Sequence, residues 1–235
     1  MKNNFLILIL FAVAVGFVAC KSESKAGAAG TETSKANTAA KAGEEVLQER
    51  TTKSVATLYD MDVTNTTVSW KANKKIGSGH SGTFNASMGR LAYDQGRVVA
   101  GEVNIDMKSI AVTDDMGADM KGKLLGHLQT GDFFEIEKFP SAQFVFQKIQ
   151  PETDASNGYN YTIAGPLTIK GVSKPVTIPA NIDVQSGKIV VNSPVFTINR
   201  TDWGINYGSG ILGTAADKII KDEVEMTINA VFLAR

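Results

Sequence analysis

Cysteine is all but absent from this chain: one thiol, Cys20, in 235 residues. Histidine is nearly as scarce, with two. So few thiols and imidazoles cannot furnish a structural zinc set, and no metal is expected. Charge of one sign is not in excess either, because Lys plus Arg and Asp plus Glu each number 24. That balance argues against a partner held mainly by charge, such as nucleic acid. The acidic residues lack calcium-loop spacing, and no glycine loop has the phosphate-cradling pattern. No cofactor is implied, and no internal repeat is present. The stretch "GHSGT", Gly79–Thr83, falls one glycine short of G-x-S-x-G. A period-two stretch follows it where that motif needs a helix. Ser81 is therefore not expected to be a nucleophile, and the chain is not expected to be an enzyme.

Long apolar runs are missing too, with one exception. Phe5–Val18 carries no polar side chain, follows Lys2, and leads through Ala19 to Cys20. It is shorter than the roughly 20 residues of a spanning helix. A charged start, an apolar middle and a small-residue end are the layout of a signal peptide. Phe17-Val18-Ala19-Cys20 resembles the lipobox of bacterial lipoproteins, with Phe17 where leucine is usual. The resemblance implies cleavage after residue 19 and lipidation of Cys20, whose thiol alone can form the thioether. Lys21 stands where Asp would signal retention at the inner membrane, which implies the outer membrane, on its periplasmic face or at the cell surface. From Lys21 to Lys53 there is no aromatic residue. Such a segment buries too little apolar surface to offset its ordering entropy. Residues 1–19 are thus expected as a signal peptide, 20–53 as a flexible lipid-anchored tether and 54–235 as one folded domain.

Inside that domain the apolar residues alternate. Val99, Gly101, Val103, Ile105 and Met107 share one face, with Glu102, Asn104 and Asp106 on the other. Tyr159, Tyr161, Ile163, Leu167 and Ile169 alternate likewise, as do Val176 to Val184, Val224 to Phe232, Phe144 with Phe146, and Phe196 with Ile198. Period two with one solvated face predicts an antiparallel sheet. Turns are expected at Asp94–Gly96, Lys170–Pro175 and Gln185–Lys188, and Pro179 predicts an edge, a bulge or a ladder break. One segment departs from the rhythm. Met116, Met120, Leu124 and Leu128 recur every four residues and predict a helix, capped by Asp114 or Asp115 and broken or shortened by Gly117, Gly122 and Gly126. About eight antiparallel strands close naturally into a barrel, so the expected fold is all-β, an eight-stranded antiparallel barrel with one short helical excursion. Composition leaves open whether its interior is a dry packed core or a hollow that holds an apolar ligand.

Six stretches, taken together, carry a resemblance: "WKANKKIGSGHSGTF", "GEVNIDMKSI", "HLQTGDFFEIEKFPSAQFVF", "AGPLTIKGVSKPVTI", "FTINRTDWGI" and "KDEVEMTINA". In this order they are similar to the YceI-like family of polyisoprenoid-binding proteins, over about Tyr59 to Ala230. The resemblance implies a lipocalin-like extended eight-stranded antiparallel β-barrel around an apolar tunnel in the cell envelope. It places Trp70, His80, Phe84, Phe133, Phe134, Phe144, Phe146, Arg200 and Trp203 at the family's characteristic positions, the aromatics lining or capping the tunnel. Val103, Ile105, Met107, Tyr161 and Ile163 join them as inward-facing candidates. Arg200 or His80 is expected to serve a polar head group; for Arg200 an ion pair with Asp202 or another acid is the alternative. The partners implied are an apolar, polyisoprenoid-like ligand and, through lipidated Cys20, a membrane. A homodimer is left open, and a filled barrel acting as an interaction scaffold is the rival reading.

Overall fold

Alternating side chains leave each strand with one face that must be hidden, and the chain hides all of them at once by rolling its sheet into a ring. The computed structural model describes residues 56–210 and 215–235. The expected signal peptide, Cys20 and the tether lie outside the described residues. The elements in order are β1 (Thr57–Met61), β2 (Thr67–Lys74), β3 (His80–Asp94), β4 (Arg97–Val112), α1 (Ala118–Gln129), β5 (Ser141–Phe146), β6 (Lys148–Pro151), β7 (Tyr161–Ile169), β8 (Val172–Gln185), β9 (Lys188–Asn192), β10 (Phe196–Asn199) and β11 (Ile220–Ala234). All pairings are antiparallel, and the ring closes where β9 meets β11, from Asn192 opposite Asn229 to Lys188 opposite Leu233.

Three pairs of strands share a place in this ring, so the eleven strands fill eight places. β1 and β2 both lie between β11 and β3, joined end to end by a 3₁₀ turn that the Asp62 carboxylate caps. β5 and β6 follow one another along β7, and β9 and β10 along β11. Three of the six prolines sit where these breaks leave N–H positions without a partner strand. Pro166 lies on β7 between its β6 and β5 contacts. Pro175 and Pro179 lie on the half of β8 that β9 does not reach, since β9 pairing starts at Asn181. A proline costs the ladder nothing there. The turns Gln95-Gly96 and Lys170-Gly171 take positive φ at both central residues, 48° and 83° in the first and 49° and 72° in the second. This geometry follows the twist of the flanking strands in a two-residue hairpin.

Two departures from simple alternation follow from local pairing. The ladder between β3 and β4 slips between Ala92 and Tyr93, so Val98 turns inward opposite Tyr93. Val99, expected inside, instead packs with Ala92, Ala100 and Leu58 in a small separate cluster. Glu102, expected on a solvated face, is buried at 3 % exposure, directly across from Arg90. The helix also differs from expectation. It is one unbroken segment of 12 residues despite Gly122 and Gly126, and its N-cap is Gly117 without a side-chain hydrogen bond. Asp114 is engaged elsewhere. Met120 is 59 % exposed, so the stripe that packs inward is Leu124, Leu125 and Leu128, with Met116 just ahead of the helix.

Arg200 fastens one end of the barrel. It opens the 3₁₀ turn Arg200–Trp203, which packs beside the unpaired half of β8. The side chain is 5 % exposed. Its Nε donates to the Lys221 carbonyl at 3.1 Å, Nη1 to Ile205 at 2.7 Å and Tyr207 at 2.9 Å, and Nη2 to Ile220 at 3.1 Å and to Asp222 Oδ1 at 3.1 Å. Every N–H of the guanidinium is thereby used. Burial works to lower the Arg200 pKa, and the Asp222 charge opposes it. The acid that pairs with Arg200 is Asp222 and not Asp202. An ammonium has fewer donors and no planar fork. Arg200→Lys should therefore lower stability by about 2–5 kcal/mol in denaturant titration; a loss under about 1 kcal/mol would show that the clasp is not structural.

Candidate ligand cavity

Convergent inward faces should fill a small barrel with side chains, and at one end they do. Leu91, Ile189 and Phe232 are fully buried and Ile163 is 2 % exposed, with Tyr59 and Tyr93 stacked edge to face beside them. Towards the end that carries α1 the filling stops. Val103, Ile105, Leu167, Ile169, Met226 and Ile228 point inward yet are only half-buried. The surface they keep faces a cavity of about 230 Å³ that runs between the two core clusters. Every place in the ring contributes to its wall, and among the described residues no Asp or Glu does.

The wall gathers most of the candidates read from the sequence. Trp70 comes from β2, His80 and Phe84 from β3, and Val103, Ile105 and Met107 from β4. Phe144 and Phe146 come from β5, their ring centroids 5.3 Å apart, and Ile163 from β7. Phe133 and Phe134 follow α1 and, with Leu124 and Leu128, cover the helix end of the barrel; Phe134 meets Phe84 edge to face at 5.6 Å. Trp203 fills the gap beside β8 and donates its indole N–H to the Leu167 carbonyl at 3.0 Å. Arg200 also touches the cavity, but all its N–H groups are bound to protein acceptors, which leaves none for a head group. Tyr161 stays out of the wall and packs against the solid end.

Trp70 has room for its indole because residue 82, its partner across the ladder, is glycine. A Cβ there would come within 2.5 Å of the ring and 1.9 Å of the Ala111 carbonyl. The Trp70 indole N–H is buried without a hydrogen-bond partner, the one such side-chain atom among the described residues. Other wall residues went unread as ligand contacts: Lys74, Leu124, Leu128, Phe196, Met226 and Ile228. Period two carries the signal for Lys74, which lies four residues beyond Trp70 on the same face of β2. The helical stripe carries it for the two leucines.

The YceI-like domain model matches residues 59–232, the barrel almost end to end. The chain belongs to the YceI-like family. Among its relatives is a UPF0312 protein of Pseudomonas putida, 27 % identical over 161 residues, which are 66 % of this chain and 79 % of that one. A UPF0312 protein of Shewanella denitrificans is 34 % identical over 100 residues, 43 % of this chain and 48 % of its own. Two solved structures share the fold. Burkholderia cenocepacia BcnA aligns at TM-score 0.56 and 23 % identity, covering 73 % of this chain and 98 % of BcnA. A polyisoprenoid-binding domain from Saccharophagus degradans aligns at TM-score 0.51 and 14 % identity, covering 75 % and 98 %.

At the helix end of this YceI-like barrel the "GHSG" stretch meets Asp114, just past β4. Asp114 Oδ2 lies 2.8 Å from His80 Nδ1, and Oδ1 accepts from the Ser81 hydroxyl at 2.6 Å and the Ser81 N–H at 3.0 Å. Serine, histidine and aspartate are together, but in the wrong order for a relay. In a hydrolase triad the imidazole stands between the other two and takes the serine proton. Here the carboxylate stands between, so it orients His80 and anchors Ser81. Among the described residues, no three His, Cys, Asp or Glu side chains converge as a metal site would require. His127, the other histidine, is held by Asp132 at 2.9 Å and sits edge-on to Phe133 and Tyr207.

Burial works to raise the Asp114 pKa, but the bonds from Ser81 and His80 outweigh it and hold the carboxyl below its ordinary value. A depressed folded-state pKa means stabilisation that is present above the ordinary carboxylate range and lost as pH falls through the lowered value. Asp114→Asn should cost about 1–3 kcal/mol at neutral pH. The difference from wild type should shrink under acid conditions, where the native carboxyl is protonated too. Denaturant titrations at both pH values test this; a pH-independent difference contradicts it.

Proposed function

We propose that this protein holds one apolar, polyisoprenoid-like molecule in its barrel and carries or stores it at a bacterial membrane to which lipidated Cys20 tethers it. The observation that carries the reading is the half-hollow interior, where inward apolar side chains from every place in the ring end on empty space instead of on one another. The ligand of the Saccharophagus degradans domain, built on the same fold, supports the isoprenoid class. Hydrocarbon offers no polar handle, so affinity has to come from area. At about 0.8 kcal/mol per buried CH₂, a few isoprene units supply on the order of 10 kcal/mol before immobilisation losses. The reading contains no catalytic step. Lys21 after Cys20 supports the outer membrane as the site of anchoring.

Ile228 packs against both core clusters and so stands at mid-cavity. Ile228→Trp is expected to abolish copurifying lipid, detected by native mass spectrometry, while the melting temperature barely moves. A filled barrel predicts the reverse: no lipid in the wild type, and about 1–3 kcal/mol of overpacking strain in the variant. That outcome would favour the scaffold reading.

The anchor is tested separately. Cys20→Ser should leave an unprocessed precursor or release the domain into the soluble envelope fraction. A variant that is cleaved and still sediments with membranes would refute lipidation at this residue.

A further inference from the structure

Five polar side chains reach the cavity wall: Thr66, Lys74, His80, Ser193 and Arg200. Three are already committed. The Thr66 hydroxyl donates to the Asp62 carbonyl at 2.8 Å and accepts from the Val231 N–H at 3.2 Å. Ser193 Oγ accepts from the Ile228 N–H at 2.8 Å. Arg200 is saturated as described. The remaining two, Lys74 and His80, stand together at the helix end. Ala72 faces His80 across the β2–β3 ladder, and Lys74 is two residues, roughly 7 Å of strand, further along on the same face.

Neither is set up to serve the fold. Lys74 is half-buried and its ammonium makes no hydrogen bond or ion pair to any described residue, whereas Lys71, on the opposite face of β2, lies 3.9 Å from Glu225. His80 is braced at Nδ1 by a carboxylate that also takes both donors of Ser81, which leaves Nε2 as the nitrogen turned away from that brace. A histidine braced this way presents its second nitrogen in a fixed direction. An ammonium and an oriented imidazole at the rim of a wall without carboxylates form a cationic collar on an apolar tube. Charged oxygens entering a partly desolvated site need such partners, and a neutral head group does not.

We propose that Lys74 and His80 seat an anionic phosphate head group, so that the molecule held is an acidic amphiphile with its tail in the cavity and its phosphate at the helix end. This rests on the reading of the cavity as a ligand site. The test uses the full chain in detergent, with farnesyl phosphate, farnesol and inorganic phosphate as calorimetric probes. Wild type should bind farnesyl phosphate roughly tenfold or more tighter than farnesol, and added salt should erode that ratio. Lys74→Met should bring the ratio down towards one, chiefly by weakening farnesyl phosphate. Equal affinities for the two isoprenoids in wild type, or a ratio that Lys74→Met leaves intact, would overturn the collar while the cavity reading stands. Inorganic phosphate binding as tightly as farnesyl phosphate would overturn it by showing a free-anion site. Failure of both isoprenoids to bind would overturn the cavity reading and the collar together.

Discussion

Ring closure is the constraint from which the other features of this barrel follow. An open sheet with these patterns would leave two edges of unpaired N–H and C=O groups, and closure removes both. It also obliges every inward face to meet every other, which concentrates the apolar side chains of strands distant in sequence around one axis. The ring is not regular throughout: three of its eight places are split into two shorter strands each, and the register slips between β3 and β4. Pro166, Pro175 and Pro179 occupy the resulting gaps, and Trp203 with the Arg200 clasp covers the largest of them. The tryptophan and arginine of "NRTDWG" are thus first of all parts of the closure.

Closure by itself does not require a hollow. At roughly 24 cal/mol per Å³, an unfilled space of about 230 Å³ forgoes on the order of 5 kcal/mol. That is comparable to the whole stability of many domains. The barrel offsets this by packing its far end to full burial, around Leu91, Ile189 and Phe232. The deficit is confined to the helix end, where α1, Phe133 and Phe134 close over the cavity instead of filling it. A guest that occupied the space would restore the missing dispersion contacts, so holding a ligand and stabilising the fold would be one process here. The unpartnered N–H of Trp70 belongs to the same region.

The alternation of side chains carries the all-β class, the antiparallel pairing and the inward faces of β4, β5 and β7, because period two in a closed ring leaves little choice about which face is inside. Trp70, His80, Phe84, Phe133, Phe134 and Trp203 enter through the family resemblance instead. The same logic failed wherever pairing, not side-chain type, decides orientation. Val99 lost its place to a register slip that no local pattern announces. Tyr161 has the right parity but stands at the packed end, and depth along a barrel is invisible to periodicity. The glycines predict a helix that is broken or short; it is unbroken over its 12 residues, because packing of Leu124 and Leu128 over the barrel end outweighs their poor propensity. Asp114 and Asp115 are both cap candidates from sequence because they precede a helix. Only the fold shows that the start of β3 comes alongside Asp114 and supplies His80 and Ser81. Arg200 illustrates the point from the other side. A buried arginine beside aromatics reads as a ligand contact until its carbonyl partners, 5 to 21 residues away in sequence, come into view.

The asymmetry between the two ends has a geometrical consequence. A tube that is plugged at one end is a gauge. A linear guest can enter only to the depth of the plug formed by Leu91, Ile189 and Phe232, and whatever exceeds that depth stays outside. For the linear guest proposed above, chain length would be a property the barrel measures, with the residues of the plug acting as the stop. Enlarging or trimming a single side chain there would move the stop by about the length of one bond or two, and with it the size of molecule that sits flush with the rim.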